Sequence, residues 1–265
     1  MFKEIKFALY AIKKNIQSSA ELRTSFMMNI VGMMINNSAF IILWVFFVKS
    51  VGVIGGWTAA DIIGLQGFAA LSYGVIFSVA VGIRKLPDYV ASGSFDRFML
   101  SPKNLLMRVA TSAFNASSAG DVIFGAICII VYGFLIHATT VQVLFAIALI
   151  ILAVMVFFAI ALIANSVSFF ITDASGVVTG GLFELFLTPS LFHGGAFQGV
   201  MRFIFTFIIP ALLIGAVPVE AIKNISVHQL IVTTVMAFVW LFISIKFFYK
   251  AVKRYESSNF MTFGV

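Results

Sequence analysis

Hydrophobic positions along this chain fall into long unbroken runs rather than alternating patterns. Six stretches, at 25–48, 62–82, 119–136, 143–171, 177–192 and 230–248, approach the roughly 20 apolar residues that cross about 30 Å of hydrocarbon as a helix. Segment 1–24 is different: Phe2, Ile5, Leu9, Ile12 and Ile16 recur every three or four residues, with Lys3, Lys6, Lys13, Lys14 and Gln17 mostly off that stripe. Such a helix lies in the membrane interface instead of crossing it. The fifth stretch is short and carries Glu184, and a further apolar run broken by Pro210 and Pro218 follows it. Proline removes backbone donors that lipid cannot replace, so 193–220, with Arg202, reads as a re-entrant hairpin rather than a seventh crossing. The pattern predicts an all-α membrane protein with six transmembrane helices in a single domain, and seven is the competing count.

Composition agrees. Of 265 residues 62% are hydrophobic and 10% charged, with 31 Phe, far from the quarter charged that soluble domains carry. The net charge of +7 does not form a nucleic-acid face, because Lys and Arg sit at the ends of apolar runs without aromatic interleaving. Five lie in the N-terminal segment, five between the second and third stretches and four near the C-terminus, leaving Lys49, Arg202 and Lys223. Six crossings put the three rich segments on one side, the cytoplasm, with both termini inside at the cell membrane. The single cysteine, Cys128, allows no internal disulfide, and the N-terminal segment has no apolar core followed by a cleavage site.

The longest connection, residues 84–104, interrupts the apolar pattern with Asp96, Arg97 and Lys103, each costing roughly 2.5–3.5 kcal/mol at mid-bilayer, so it lies outside the hydrocarbon. Its grammar is that of two short helices: Pro87 near a start, Gly93 as a stop, then Ser101 as N-cap with Pro102 at the first helical position. Leu86, Tyr89, Val90, Phe95, Phe98, Met99 and Leu100 remain to be covered, by a partner protein or by the membrane surface.

Three motifs stand in order along the chain: SGSFDRFMLSPKN, then IPALLIGAVP within the hairpin run, then KRYESSN. Together they resemble the permease subunits of type-2 ATP-binding-cassette exporters, and within them a bacterial branch with the pattern G-x-x-D-x-x-L-x-x-P, I-P-x-x-x-x-G-x-x-P and Y-x-S. Gly93, Asp96, Pro102, Pro210, Gly215, Pro218, Tyr255 and Ser257 match, and Met99 stands where the pattern has Leu. The resemblance implies an interfacial N-terminal helix, a cytoplasmic coupling helix docking in a groove of an ATPase, and a re-entrant hairpin before the last span. Leu86, Tyr89, Val90, Gly93, Phe95, Asp96, Phe98, Leu100 and Pro102 would form the coupling element. The alternative is a connector that anchors on anionic headgroups.

No G-x-x-x-x-G-K-[ST] occurs, so ATP and Mg would be held by a separate ATPase subunit, and this chain is expected to bring no cofactor. His137, His193 and His228 lie in separate connections, giving no metal or catalytic constellation. Ionisable residues in spans are functional candidates: Asp121 at the start of the third, Glu184 in the fifth and Arg202 in the hairpin run, where Glu184 paired with Arg202 would neutralise both; the plainer alternative sets Asp121 and Arg202 at headgroup level. Asn29, Gly32 and Asn36 share one face of the first span, as a substrate path between two permeases or as helix packing. The expected function is a transport permease, not an enzyme. It would pair with an identical or related permease and with ATPases to export a drug, peptide or lipid-like amphipathic substrate. The alternative is a self-sufficient secondary transporter or channel.

Overall fold

The computed structural model describes residues 2–52, 55–171 and 176–255; Ser257 of the terminal motif lies outside them. The chain forms α1 (Phe2–Ala20), α2 (Arg23–Val51), α3 (Ala59–Val79), α4 (Leu86–Ala91), α5 (Asp96–Met99), α6 (Leu105–Ala110), α7 (Ala116–Leu135), α8 (Thr140–Ser166), α9 (Val177–Leu187), α10 (Gly199–Phe203), α11 (Ala216–Lys223) and α12 (Val227–Val252). No strand occurs among the described residues.

Five helices are long and apolar enough to cross a membrane: α2, α3, α7, α8 and α12. The fifth predicted stretch forms a shorter apolar helix, Val177–Leu191, about 22 Å long at 1.5 Å per residue. Four of the long helices begin three residues before their apolar runs, because each opens on a polar cap. Thr58 and Thr139 form capping boxes with Asp61 and Gln142, while Asn115 and Ser226 accept from Ser117 and Gln229.

Helix α3 sits at the centre, packed on α7, α8 and α2, and α12 packs on α8. The α3–α7 contact is close because glycines face it: a Cβ on Gly74 would stand 2.5 Å from the Val122 backbone nitrogen, and one on Gly125 would stand 2.5 Å from that of Leu71. Small residues let membrane helices meet backbone to backbone, where dispersion contacts rather than a hydrophobic drive hold them. Burial covers 67% of the apolar window of α3 but 6% of that of α2, so α2 hangs on the outside of this assembly.

After α9 the chain breaks repeatedly. Pro189 opens a 3-10 turn, Gly199 takes φ +53°, and the helix from α10 widens into a π turn at Ile204–Ile208, closed by Ile209 N–H donating to Ile204 O at 2.8 Å. Pro210 then enters a 3-10 turn, and α11 returns. The two arms face each other through Arg202 and Glu220.

Candidate functional site

The charged connection between α3 and α7 is a folded knob. Leu86, Tyr89, Phe95 and Phe98 are buried in it. The Phe95 ring lies 4.9 Å from Phe169 at the end of α8 and 5.0 Å from Tyr255 after α12, and Phe169 in turn meets Phe248 of α12 at 6.1 Å. This corrects one expectation: four of the apolar residues read as an uncovered docking face are covered by the chain itself. Sequence spacing cannot show this, because the covering rings come from residues 169 and 255, with Phe248 packed behind Phe169. The exposed apolar positions are Met99 and Leu100, the latter 86% accessible, beside exposed Arg97. Val90 and Asp96 are partly buried, and Pro102 is exposed.

Gly93 takes φ +68°, and its carbonyl accepts from the Tyr255 hydroxyl at 3.3 Å. The first and last motifs therefore meet in space. The second helix of the segment starts later than expected: Asn104 caps α6 by accepting from Met107 N–H at 3.0 Å. Ser101 Oγ instead accepts from Lys103 N–H at 3.4 Å within a bend, a local turn that competes with helix initiation. Arg108 closes the knob by donating to the carbonyls of Phe98 at 2.6 Å and Arg97 at 3.3 Å.

Helix α1 docks on the same unit. Glu4 accepts from Asn104 N–H at 3.0 Å and pairs with Lys103 at 3.9 Å, while Asn15 donates to the Thr111 carbonyl at 2.8 Å. Lys3, Lys6, Lys13 and Lys14 stay exposed, as do Ile5 and Leu9 of the apolar stripe.

At the opposite end, the hairpin is tied to the start of α3. Lys223 donates to Asp61 Oδ2 and to the Gly56 carbonyl, both at 2.8 Å. Arg202 pairs with Glu220, which also accepts from Gln229 at 3.2 Å, and Arg202 reaches the Gly194 carbonyl at 3.4 Å. The expected Glu184–Arg202 pair does not form. Glu184 is exposed on α9 and lines a polar cleft of about 220 Å³ with Arg84, Asp88 and Asn165. The fold sets Arg202 against the second hairpin arm, a partner that its spacing in the sequence concealed. Gly215 is required by close approach: a Cβ there would lie 2.7 Å from the Leu65 side chain and 3.0 Å from the Ser190 carbonyl. Pro210 and Pro218 are buried beside it. Burial also lowers the pKa of His193, whose ring lies 6.1 Å from Trp57.

Between α2, α3, α7 and the end of α9 lies a cavity of about 510 Å³, lined by Asn36, Asn37, Gln66, Tyr73 and Asp121 with apolar walls including Phe40, Leu43 and Leu187. Asn37 donates to Asp121 Oδ1 at 2.6 Å, and Arg84 donates to the Tyr73 hydroxyl at 2.8 Å. The Asn29–Asn36 face divides. Asn29 accepts from Ser117 Oγ at 3.2 Å and so joins α2 to α7, nothing lies within 4 Å of a Cβ on Gly32, and Asn36 lines the cavity. Asn37 and Gln66 escaped the sequence reading. The signal available was the rarity of amides inside spans, with Gln66 and Tyr73 seven residues apart on one face of α3.

A family model described as ABC-2 family transporter protein matches residues 34–259. A comparison with curated proteins finds no match. The matched residues take in the knob, the cavity and the hairpin, together with the helices that are long and apolar enough to span a membrane. The chain belongs to the ABC-2 transporter family and is a membrane-spanning permease of an ABC transporter.

Proposed function

We propose that this permease works in an ATP-driven exporter. It crosses the cell membrane six times with both termini in the cytoplasm, and it pairs with a second, identical or related permease and with cytoplasmic ATPase subunits that hold ATP and Mg. Five crossings are the long helices; α9 with its 3-10 extension makes the sixth, and residues 199–223 re-enter from the outer side. The clustering of Lys and Arg supports this placement. Helix α1 lies in the cytoplasmic interface, with its lysines toward headgroups and its exposed Ile5 and Leu9 toward acyl chains. The cargo is amphipathic.

The observation that carries the reading is the construction of the knob. Its bare tip, Met99 and Leu100, stands on a buried aromatic base that touches the ends of α8 and α12 and directly links α3 to α7. A force applied at the tip by a closing ATPase pair would reach four spans. Nucleotide supplies the differential binding that drives such a two-state change. The aspartate and glycine of the first motif shape the knob, and Arg97, Met99 and Leu100 would make the contact.

The test is co-purification of the permease with an ATPase encoded beside it. Leu100→Asp should abolish association while leaving the permease folded. Retained association and unchanged ATPase stimulation would remove the knob from this role.

A further inference from the structure

We propose that the cavity between α2, α3, α7 and α9 binds the protonated amine of an amphipathic molecule, with Asp121 as the anionic acceptor and Gln66 as a neighbouring donor. The proposal rests on the exporter reading above and names the class of cargo.

The cavity is lined by two buried polar side chains that each leave one atom unpaired. Asp121 is 3% accessible and Gln66 is 6% accessible. One Asp121 oxygen takes the Asn37 amide at 2.6 Å, but Oδ2 has no hydrogen-bond partner, and neither has Gln66 Nε2. Buried polar atoms are satisfied in folded proteins, and an orphan marks a place where another molecule completes the set. Both residues line the same space of about 510 Å³, a volume suited to a drug-sized ligand, and their unpaired atoms lie just beneath its surface, so a small side-chain turn would bring them to a ligand. A carboxylate inside a membrane span is costly without a function. Asp121 lies five residues into α7 from its knob-side end, about 7.5 Å along the helix, within reach of a cargo entering from that side.

The chemistry of the orphans selects the ligand. Oδ2 of a carboxylate only accepts, so it needs a donor, and a cationic one gains charge attraction that a hydroxyl lacks. Gln66 Nε2 only donates, so an oxygen beside the amine completes the pair. Phe40, Leu43 and Leu187 give the apolar tail a dry wall. A bare metal ion fits poorly, since hard cations demand six or more oxygens and most of this lining is apolar. A quaternary ammonium fits less well than a primary one, having no N–H for Oδ2.

The test uses the full chain reconstituted in phosphatidylcholine nanodiscs, without any ATPase, titrated with dodecylamine, dodecyltrimethylammonium and dodecanol. Wild type should bind dodecylamine about tenfold more tightly than Asp121→Asn does, the increment of one charge-assisted hydrogen bond. Dodecanol should bind both proteins alike, and dodecyltrimethylammonium, which keeps the charge attraction but has no N–H, should lose less than dodecylamine does. Equal dodecylamine affinity in both proteins, or equal affinity for dodecylamine and dodecanol in wild type, overturns the proposal. Should Asp121→Asn not fold, Gln66→Met carries the test: it should lose the preference of wild type for 2-amino-1-dodecanol over dodecylamine, and an unchanged preference overturns the site. Native mass spectrometry separates two sources of the amine. Phosphatidylethanolamine retained and displaced by dodecylamine assigns a lipid headgroup, while dodecylamine binding without it assigns a dissolved amphiphile; both support the site. Absence of an ATPase partner would sink the exporter reading and leave this result standing, whereas amine-independent binding sinks the site alone.

Discussion

The pair of Arg202 and Glu220 offers the sharpest check on how the hairpin is held. Glu220 is 15% accessible and receives both Arg202 and Gln229, so Arg202→Met leaves a carboxylate in a mostly dry setting with one amide for company. Breaking a fully buried pair costs about 3–5 kcal/mol. Arg202 is 38% accessible, which lets water take up part of the charge, so about 2–3 kcal/mol is expected here. Glu220→Met should cost about the same or less, because the freed arginine can turn to solvent. The double variant replaces both charges with apolar bulk and should recover most of the loss, giving a coupling energy of about 2–4 kcal/mol. The assay is denaturant unfolding in detergent for the four members of the cycle, repeated with Glu184→Gln in place of the Glu220 change. The Glu184 cycle should show no coupling. Coupling below about 0.5 kcal/mol for Glu220, or coupling to Glu184 instead, would refute the reasoning.

Phe95→Ala removes a fully buried ring from the base of the knob and should lower stability by about 3–5 kcal/mol, while Leu100→Ala at the bare tip should stay within about 0.5 kcal/mol; thermal unfolding of both separates base from tip. Gly74→Ala puts a methyl against the Val122 backbone and should cost about 1–3 kcal/mol, whereas Gly32→Ala, with open space around it, should be neutral or slightly stabilising. Asn104→Ala removes the cap of α6 and should cost about 1 kcal/mol, with faster hydrogen exchange at the Met107 amide as its local signature.

Much of the architecture was legible because lipid imposes a simple rule on span length. Runs predicted at 62, 119, 143 and 230 correspond to helices beginning at Ala59, Ala116, Thr140 and Val227. The shared three-residue offset has one cause: caps such as Thr58 and Ser226 are polar, so a search for apolar runs starts one turn late. Proline placement likewise announced the broken backbone after α9. What stayed hidden depends on residues distant in sequence. The rings of Phe169 and Tyr255 cover a connection whose own composition suggested an open face. Glu220 lies on the far arm, distant from Arg202 in sequence, and Asn104 rather than Ser101 caps a helix because Ser101 is held in a local turn with Lys103. In the cavity, Asn36 was visible by its period along α2, but Asp121 and Gln66 came together only through the approach of α3 to α7.

The glycine seam between those two helices has a mechanical consequence. Where Gly74 and Gly125 bring the backbones together little side chain lies between them to absorb sliding, which favours α3 and α7 moving as one beam about 30 Å long, with the knob across one end. A tilt of about 5° at that end displaces the far end by about 3 Å, roughly the length of one hydrogen bond. The clamp of Lys223 on Asp61 and Gly56 sits at that far end, so a rocking beam would open it without any helix changing its length.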